Sequence, residues 1–259
     1  MSGLDHRSRA RALYQARATR VPIAPFTDDD PAMGMADGYA IQRDLVGMLL
    51  DDGDRVIGYK AGLTSVPMQR LFGVDTPDYG PVLASTLYAD GDRVPREAFI
   101  APKVEAEIVF RLGSRLAGPG VTLETARAAI ADVMAGLEIV DSRIADWRIR
   151  LADTIADLAS NGALVLGDRA VPARDVDPRL IGMVFSRNDE VVATGAGAAA
   201  LGDPVAVVAW LANTLGEHGV ALEPGHLILT GALHAAVPMN PGDRFVAEFD
   251  RLGSVAVQA

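Results

Sequence analysis

Apolar residues recur at helical spacing early in the chain and at strand spacing after residue 55. Beyond Asp37, the residues Ile41, Leu45, Met48 and Leu49 follow the i, i+4, i+7, i+8 rhythm of an amphipathic helix that Asp51-Asp52-Gly53 closes. An earlier helix carries Leu4, Leu13 and Tyr14, with Arg7, Arg9, Arg11 and Arg17 giving it a basic face. Between the two, residues 21–31 hold three prolines and the run Asp28-Asp29-Asp30, which predicts a loop. From Arg55 onward, short runs at 56–59, 82–83, 99–112, 137–140, 163–166 and 227–230, bounded by Gly, Pro or Asp, predict strands. Asn188-Asp189 marks a hairpin between 183–187 and 190–194, and 244–249 is expected to pair with 254–258. Helices are expected after Thr122, near 147–159, and from an Asp203 N-cap with Pro204 at the first helical position to Gly216. Runs of strands broken by occasional helices predict an α+β fold with a mixed sheet, divided into an N-terminal helical region, 1–54, and a strand-rich domain, 55–259.

Composition narrows the chemistry. A chain of 259 residues that is 49% apolar can bury a substantial core. It has no cysteine, and its four histidines, His6, His218, His226 and His234, form no closely spaced ligand pair, so a metal would have to sit on oxygen. A formal charge of -10 disfavours nucleic acid and anionic membrane. No apolar stretch approaches the roughly 18 to 20 residues of a membrane span, and the arginine-rich start lacks a secretory apolar segment; it reads as a basic-faced first helix, with an organelle-targeting segment as the alternative, and a cytoplasmic protein is expected. Of the 24 basic residues only Lys60 and Lys103 are lysine. An ammonium can be tuned toward neutrality and used for proton transfer as a guanidinium cannot, which singles out both positions.

The segment 102–110, Pro-Lys-Val-Glu-Ala-Glu-Ile-Val-Phe, carries the strongest local signal. On a strand, Glu105 and Glu107 share one face, while Ala106, Ile108 and Phe110 share the other. Glu138 is the only charge in 134–140, a third carboxylate in an apolar strand. Three carboxylates without a softer donor suit Mg²⁺ or Mn²⁺; Glu-x-Glu alone would equally suit a solvated edge strand. Lys60 stands at the lip of a glycine-bounded turn, and Asp78 in 76–81 is expected on a rigid exposed turn, either capping it or pairing with Lys60 in proton transfer. The glycine-rich 195–200 imitates a dinucleotide loop, but the helix starts late and no second strand offers a ribose-binding acid. His218 and His226 read as surface residues.

The series GYKAGLTS, GVDTPDYG, PKVEAEIVF, GLEIVDSRIADWRI, IADLASNGALVLG and PGDRFVAEFDRLGSV, in order from about Tyr39 to the C-terminal region, resembles the 2-keto-4-pentenoate (2-hydroxypenta-2,4-dienoate) hydratase family. Relatives of that family are the 4-oxalocrotonate decarboxylases and, more distantly, the fumarylacetoacetate hydrolase superfamily. The resemblance implies a fumarylacetoacetate-hydrolase-like mixed β-sheet or β-roll core, a homo-oligomer, and hydration of a small 2-hydroxydienoate or 2-oxo-enoate in aromatic catabolism. It implies Glu105, Glu107 and Glu138 as ligands of Mg²⁺ or Mn²⁺, and Lys60, Asp78 and Ser160 as catalytic positions. Leu63, Lys103, Arg143, Thr230 and His234 are the expected substrate contacts. Leu158 and His234 depart from residues common in the family. No arginine lies in 227–241, which leaves His234 or Arg143 as the cation for a second substrate carboxylate. A neutral tail, and hence a hydratase, is the first reading; a decarboxylase or acylpyruvate hydrolase on the same scaffold is the second.

Overall fold

In the computed structural model, which describes residues 5–65, 69–70 and 73–259, two β-sheets pack around the main core and three helices cover one end. Helix α1 (His6–Thr19) starts where the Asp5 carboxylate accepts the Ser8 N–H and stops at Arg20, whose φ of 59° turns the chain out of the helix. Leu13 is buried as its spacing implies, and Leu4 lies outside the described residues. The expected loop at 21–31 contains one short helix, α2 (Phe26–Asp29), because the buried Asp153 carboxylate accepts both the N–H and the hydroxyl of Thr27. Helix α3 (Met35–Asp51) buries Ile41, Leu45 and Leu49 against α1 and against Leu83, Ile144, Ala152 and Leu158 from later in the chain.

The larger sheet has the order β2-β1-β10-β4-β5-β6-β3, formed by β1 (Val56–Gly62), β2 (Asp78–Leu83), β3 (Leu87–Ala89), β4 (Lys103–Leu112), β5 (Ile130–Val140), β6 (Asn161–Leu166) and β10 (Leu227–Leu229). The short strand β7 (Val171–Pro172) pairs with β5, and β11 (Val237–Pro238) with β4. Most pairs are antiparallel, but β1/β10 and β3/β6 are parallel, so the sheet is mixed as the sequence predicts. The second sheet, β13-β12-β8-β9, consists of the two expected hairpins, β8 (Gly182–Arg187) with β9 (Glu190–Ala196) and β12 (Arg244–Phe249) with β13 (Gly253–Gln258). Asn188 and Asp189, both at positive φ, make the first hairpin turn. Helices α4 (Leu123–Ala129) and α6 (Pro204–Gly216) begin at the Thr122 and Asp203 caps; α5 (Leu151–Ala156) is shorter than expected, because 3₁₀ turns flank it.

Alternation sorts each strand of the large sheet. Val104, Ala106, Ile108 and Phe110 of β4 face the main core, which Phe185 and Phe245 of the second sheet complete. The opposite face holds a smaller apolar cluster, Val82, Val109, Met134, Leu164, Leu227 and Leu229. On β2, β4 and β5 this face changes along the strands from apolar to charged, with Asp78, Glu105, Glu107 and Glu138 in the same side-chain parity as Val82, Val109 and Met134, and on β1 Lys60 joins this face opposite Leu229. No helix among the described residues is long and apolar enough to cross a membrane.

Candidate active site

Those five charged residues line one cavity of about 700 Å³, together with Leu63, Lys103 and Ser160. Glu105 stands directly opposite Glu138 in the β4/β5 register, and Glu107 opposite Gly136. One oxygen from each of the three carboxylates lies within 4.8 Å of the others. Like charges facing each other across strands repel, and Glu107 and Glu138 are buried as well. Burial, reinforced by Glu138, pushes Glu105 up to about 7 and Glu107 well above the usual carboxylate range. Gly231 N–H donates to Glu107 Oε2 at 2.8 Å, and Asn161 Nδ2 to Glu138 Oε1 at 3.1 Å, while Glu138 Oε2 has no partner among the described residues. A backbone with φ of 103° at residue 231 brings that N–H in, and a Cβ there would meet Thr64 Oγ1 at 1.9 Å, so glycine is required.

The same donor set fits a hard divalent cation. Around an octahedral ion, ligand oxygens at about 2.1 Å sit about 3 to 4 Å apart, within the spread of these three carboxylates. The ion's charge would offset the repulsion among them and the burial that pushes Glu105 and Glu107 up, and the orphaned Glu138 oxygen would gain a partner.

Lys60 Nζ lies 2.7 Å from Glu138 Oε1 and donates to the carbonyl of Ala159 at 2.9 Å. Burial opposes its charge, but the three carboxylates outweigh burial and hold Lys60 above the ordinary lysine range, opposite to the shift toward neutrality that the sequence suggested. Asp78 is not on an exposed turn. It opens β2, pairs with Gly62 and is buried, because this end of β2 is covered rather than solvated. Burial pushes its carboxyl up to about 6 against the pull of Lys60, and its Oδ1 has no partner among the described residues. Gly62 makes room for it, since a Cβ there would sit 2.2 Å from Asp78 Oδ1. Ser160 Oγ bonds with Thr154 Oγ1 at 3.0 Å at the cavity wall.

The expected substrate contacts divide. Leu63 and Lys103 line the cavity, with Lys103 Nζ 4.0 Å from the centroid of the Trp147 ring. Thr230 is fully buried and donates its hydroxyl to Ile108 O, turned from the cavity. His234 accepts the Ala106 N–H on Nε2, which leaves Nδ1 to donate to Ala235 O, and it stacks on Phe185; burial keeps it below the usual histidine range. With both ring nitrogens engaged by backbone, it is not a free cation. Arg143 is buried beside Asp157 and is not among the cavity-lining residues. Sequence reasoning missed Arg150, which does line the cavity, and Asn161, which orients Glu138. Asn161 lies within IADLASNGALVLG, where the resemblance singles out Ser160, and Arg150 follows directly after GLEIVDSRIADWRI, where it singles out Glu138 and Arg143. His218 is exposed as expected, whereas His226 is partly covered, its ring edge toward Tyr59.

Residues 62–258 match the family described as fumarylacetoacetate (FAA) hydrolase C-terminal. The chain is 45% identical over 249 residues to 2-keto-4-pentenoate hydratase of Paraburkholderia xenovorans (strain LB400), spanning 96% of this chain and 93% of that one. It is 40% identical over 253 residues to 2-hydroxyhexa-2,4-dienoate hydratase of Comamonas testosteroni, spanning 97% and 96%. Among solved structures, 4-oxalocrotonate decarboxylase from Pseudomonas putida G7, complexed with magnesium and adipate, superposes with a TM-score of 0.96 at 36% identity, covering 100% of this chain and 98% of that one. The chain belongs to the 2-keto-4-pentenoate hydratase family of the fumarylacetoacetate hydrolase superfamily.

Proposed function

We propose that this chain is a divalent-metal-dependent hydratase that adds water to a small 2-hydroxydienoate, or its 2-oxo-enoate tautomer, to give a 4-hydroxy-2-oxoalkanoate. The observation that carries this reading is the convergence of three carboxylates, Lys60 and Asp78 on one cavity; the hydratases among the relatives support it. Glu105, Glu107 and Glu138 would hold Mg²⁺ or Mn²⁺. When bound, the ion supplies Lewis-acid stabilisation of negative charge developing on a 2-oxo acid.

Lys60 and Asp78 move the protons that ketonisation at C5, water attack at C4 and protonation at C3 require. Asp78, with a pKa of about 6, can both take and return a proton near neutral pH. Lys60 is held by Ala159 O and Glu138, which fixes where its remaining N–H points. Ser160 and Leu63 bound the substrate, one polar and one apolar. A cytoplasmic homo-oligomer belongs to the same reading and rests on the resemblance.

Decarboxylation of a 2-oxo-enedioate is the second reading, favoured by the decarboxylase likeness and by two cations, Lys103 and Arg150, on the cavity wall. Incubation of the metal-loaded protein with 2-hydroxypenta-2,4-dienoate, followed by mass identification of the product, tests the first reading. A product heavier by one water is expected, and its absence overturns the assignment.

A further inference from the structure

Leu158, Ala159 and Ser160 form three consecutive non-glycine residues at positive φ, 57°, 51° and 57°. The left-handed region is disfavoured for residues with a Cβ, and a run of three persists only where the surroundings over-determine it. The turn matters because Ala159 O accepts the Lys60 ammonium and Ser160 lines the carboxylate cavity. It also lies flush on β2: a Cβ at Gly80 would meet Leu158 O at 2.2 Å.

One guanidinium holds both ends of this turn. Arg143 donates Nε to Asp157 Oδ1 and Nη2 to Asp157 O at 2.8 Å on the preceding side, and Nη1 to Asn161 O at 3.1 Å on the following side. Its backbone N–H bonds the second Asp157 oxygen at 2.8 Å. From the same stretch, Asp141 N–H reaches Ser160 O at 2.9 Å. The Asn161 that Arg143 grips by its carbonyl is the residue whose side chain orients Glu138. Arg143 is only 3% exposed and does not line the carboxylate cavity, so it is not placed to touch a substrate there.

We propose that Arg143 is a positioning residue: by bridging Asp157 and Asn161 it sets the left-handed turn that seats Lys60 and presents Ser160 to the cavity. The catalytic half of this inference rests on the hydratase reading; the structural half does not. Lysine keeps the charge but lacks the planar fork, so it cannot reach an acceptor on each side of the turn at once.

The test is Arg143→Lys in the full chain, measured in two ways. Hydrogen exchange of peptides spanning residues 157–162 is expected to speed up by about tenfold while the sheets keep their protection, since local opening reports on local contacts. In the metal-loaded protein, kcat is expected to fall by about 10²-fold with KM and metal affinity little changed, the scale set by misplacing a catalytic group by about 1 Å. Adding Ala159→Gly, which adopts positive φ freely, should restore part of kcat and would not rescue a general loss of stability. Unchanged exchange in the turn, or a folded Arg143→Lys variant that turns over within about twofold of wild type, overturns the proposal. Should Arg143→Lys not fold, the Arg143→Met/Asp157→Leu pair removes the hydrogen-bonded ion pair as a unit and leaves the nearby Asp141 held by the Ile100 and Ala101 N–H groups; lost protection at 157–162 then supports the clamp and retained protection overturns it. A wild-type protein that shows no hydration, yet loses turn protection on mutation, defeats the hydratase reading and leaves the clamp standing.

Discussion

The Lys60 ammonium lies 2.7 Å from Glu138 Oε1 although two strands, β10 and β4, separate β1 from β5 in the sheet. Adjacent strands are about 4.8 Å apart, so a flat sheet would keep these backbones about 14 Å from one another. The sheet therefore curls, and its charged face closes on itself. A β10 of only three residues and glycines at 58 and 136 permit that curvature: a Cβ at Gly58 would fall 1.9 Å from Leu227 O, and one at Gly136 would fall 2.5 Å from Val109 Cγ2. Curling is what brings these separate strand residues together on one cavity.

Chelation should abolish activity, and Mg²⁺ or Mn²⁺ should restore it, because three carboxylates in one cavity repel each other without a cation. Glu107→Gln is expected to stay folded, since the amide removes a buried charge, and to weaken metal binding by about tenfold or more. Calorimetric titration of the variant checks this; wild-type affinity would remove Glu107 from the ligand set.

The metal-free protein should lose stability as the pH rises. Glu105 and Glu107 hold protons more tightly folded than unfolded, where a glutamate titrates near ~4.3. Stability from the protonated forms is thus complete below that value and is lost as pH climbs through about 7, the folded value of Glu105. Metal binding runs the other way, because the protons must leave first, so the rise in Tm on adding Mn²⁺ should be larger at pH 8 than at pH 6. Calorimetric scans with and without metal at both values measure the difference. An equal rise at both would show that the carboxyls are already ionised at pH 6.

Much of this site was legible in the sequence. The Glu-x-Glu alternation and the lone charge at Glu138 follow from strand periodicity, and two lysines among so many arginines stood out by chemistry alone. What remained hidden depends on long-range packing. Asp78 sits among Pro, Gly and Thr, which read locally as a turn, and only pairing with β1 buries it. His234 and Thr230 lie in the right loop, but backbone hydrogen bonds turn them away, and the useful group there is the Gly231 N–H. Arg143 lies in the recognised stretch, yet its partners, Asp157 and Asn161, are 14 and 18 residues away. Nothing in periodicity reports such an encounter.

Lys60→Arg should cost about 10²-fold or more in kcat with the fold intact, the usual scale for losing a proton-transfer group. The guanidinium keeps the charge near Glu138 but cannot give up a proton. Steady-state kinetics on the metal-loaded variant decides it: wild-type turnover would reduce Lys60 to a counter-charge. Asp78→Asn tests the carboxylate side, and a loss of similar size is expected.

The last prediction concerns the substrate tail. Neither His234 nor Arg143 is free to bind a second carboxylate: His234 is engaged on both nitrogens, and Arg143 is committed to Asp157 and Asn161. Lys103 and Arg150 line the cavity instead, but each is partly occupied. Lys103 rests over the Trp147 ring, with burial holding it below the usual lysine range, and Arg150 donates to Thr27 O at 3.2 Å while its side chain reaches solvent. A solvated arginine at the rim gains little from one more ion pair, on the order of 0.2 to 1 kcal/mol, or less than about fivefold in affinity. Neutral-tailed 2-hydroxypenta-2,4-dienoate should therefore be hydrated faster than 2-oxohex-3-enedioate is decarboxylated. Arg150→Gln should leave dienoate turnover within about twofold, since it touches only the mouth of the cavity. Loss of dienoate absorbance and release of CO₂, followed in parallel on wild type and variant, give both rates. Dominant CO₂ release that collapses in Arg150→Gln would make Arg150 the tail cation and the chain a decarboxylase.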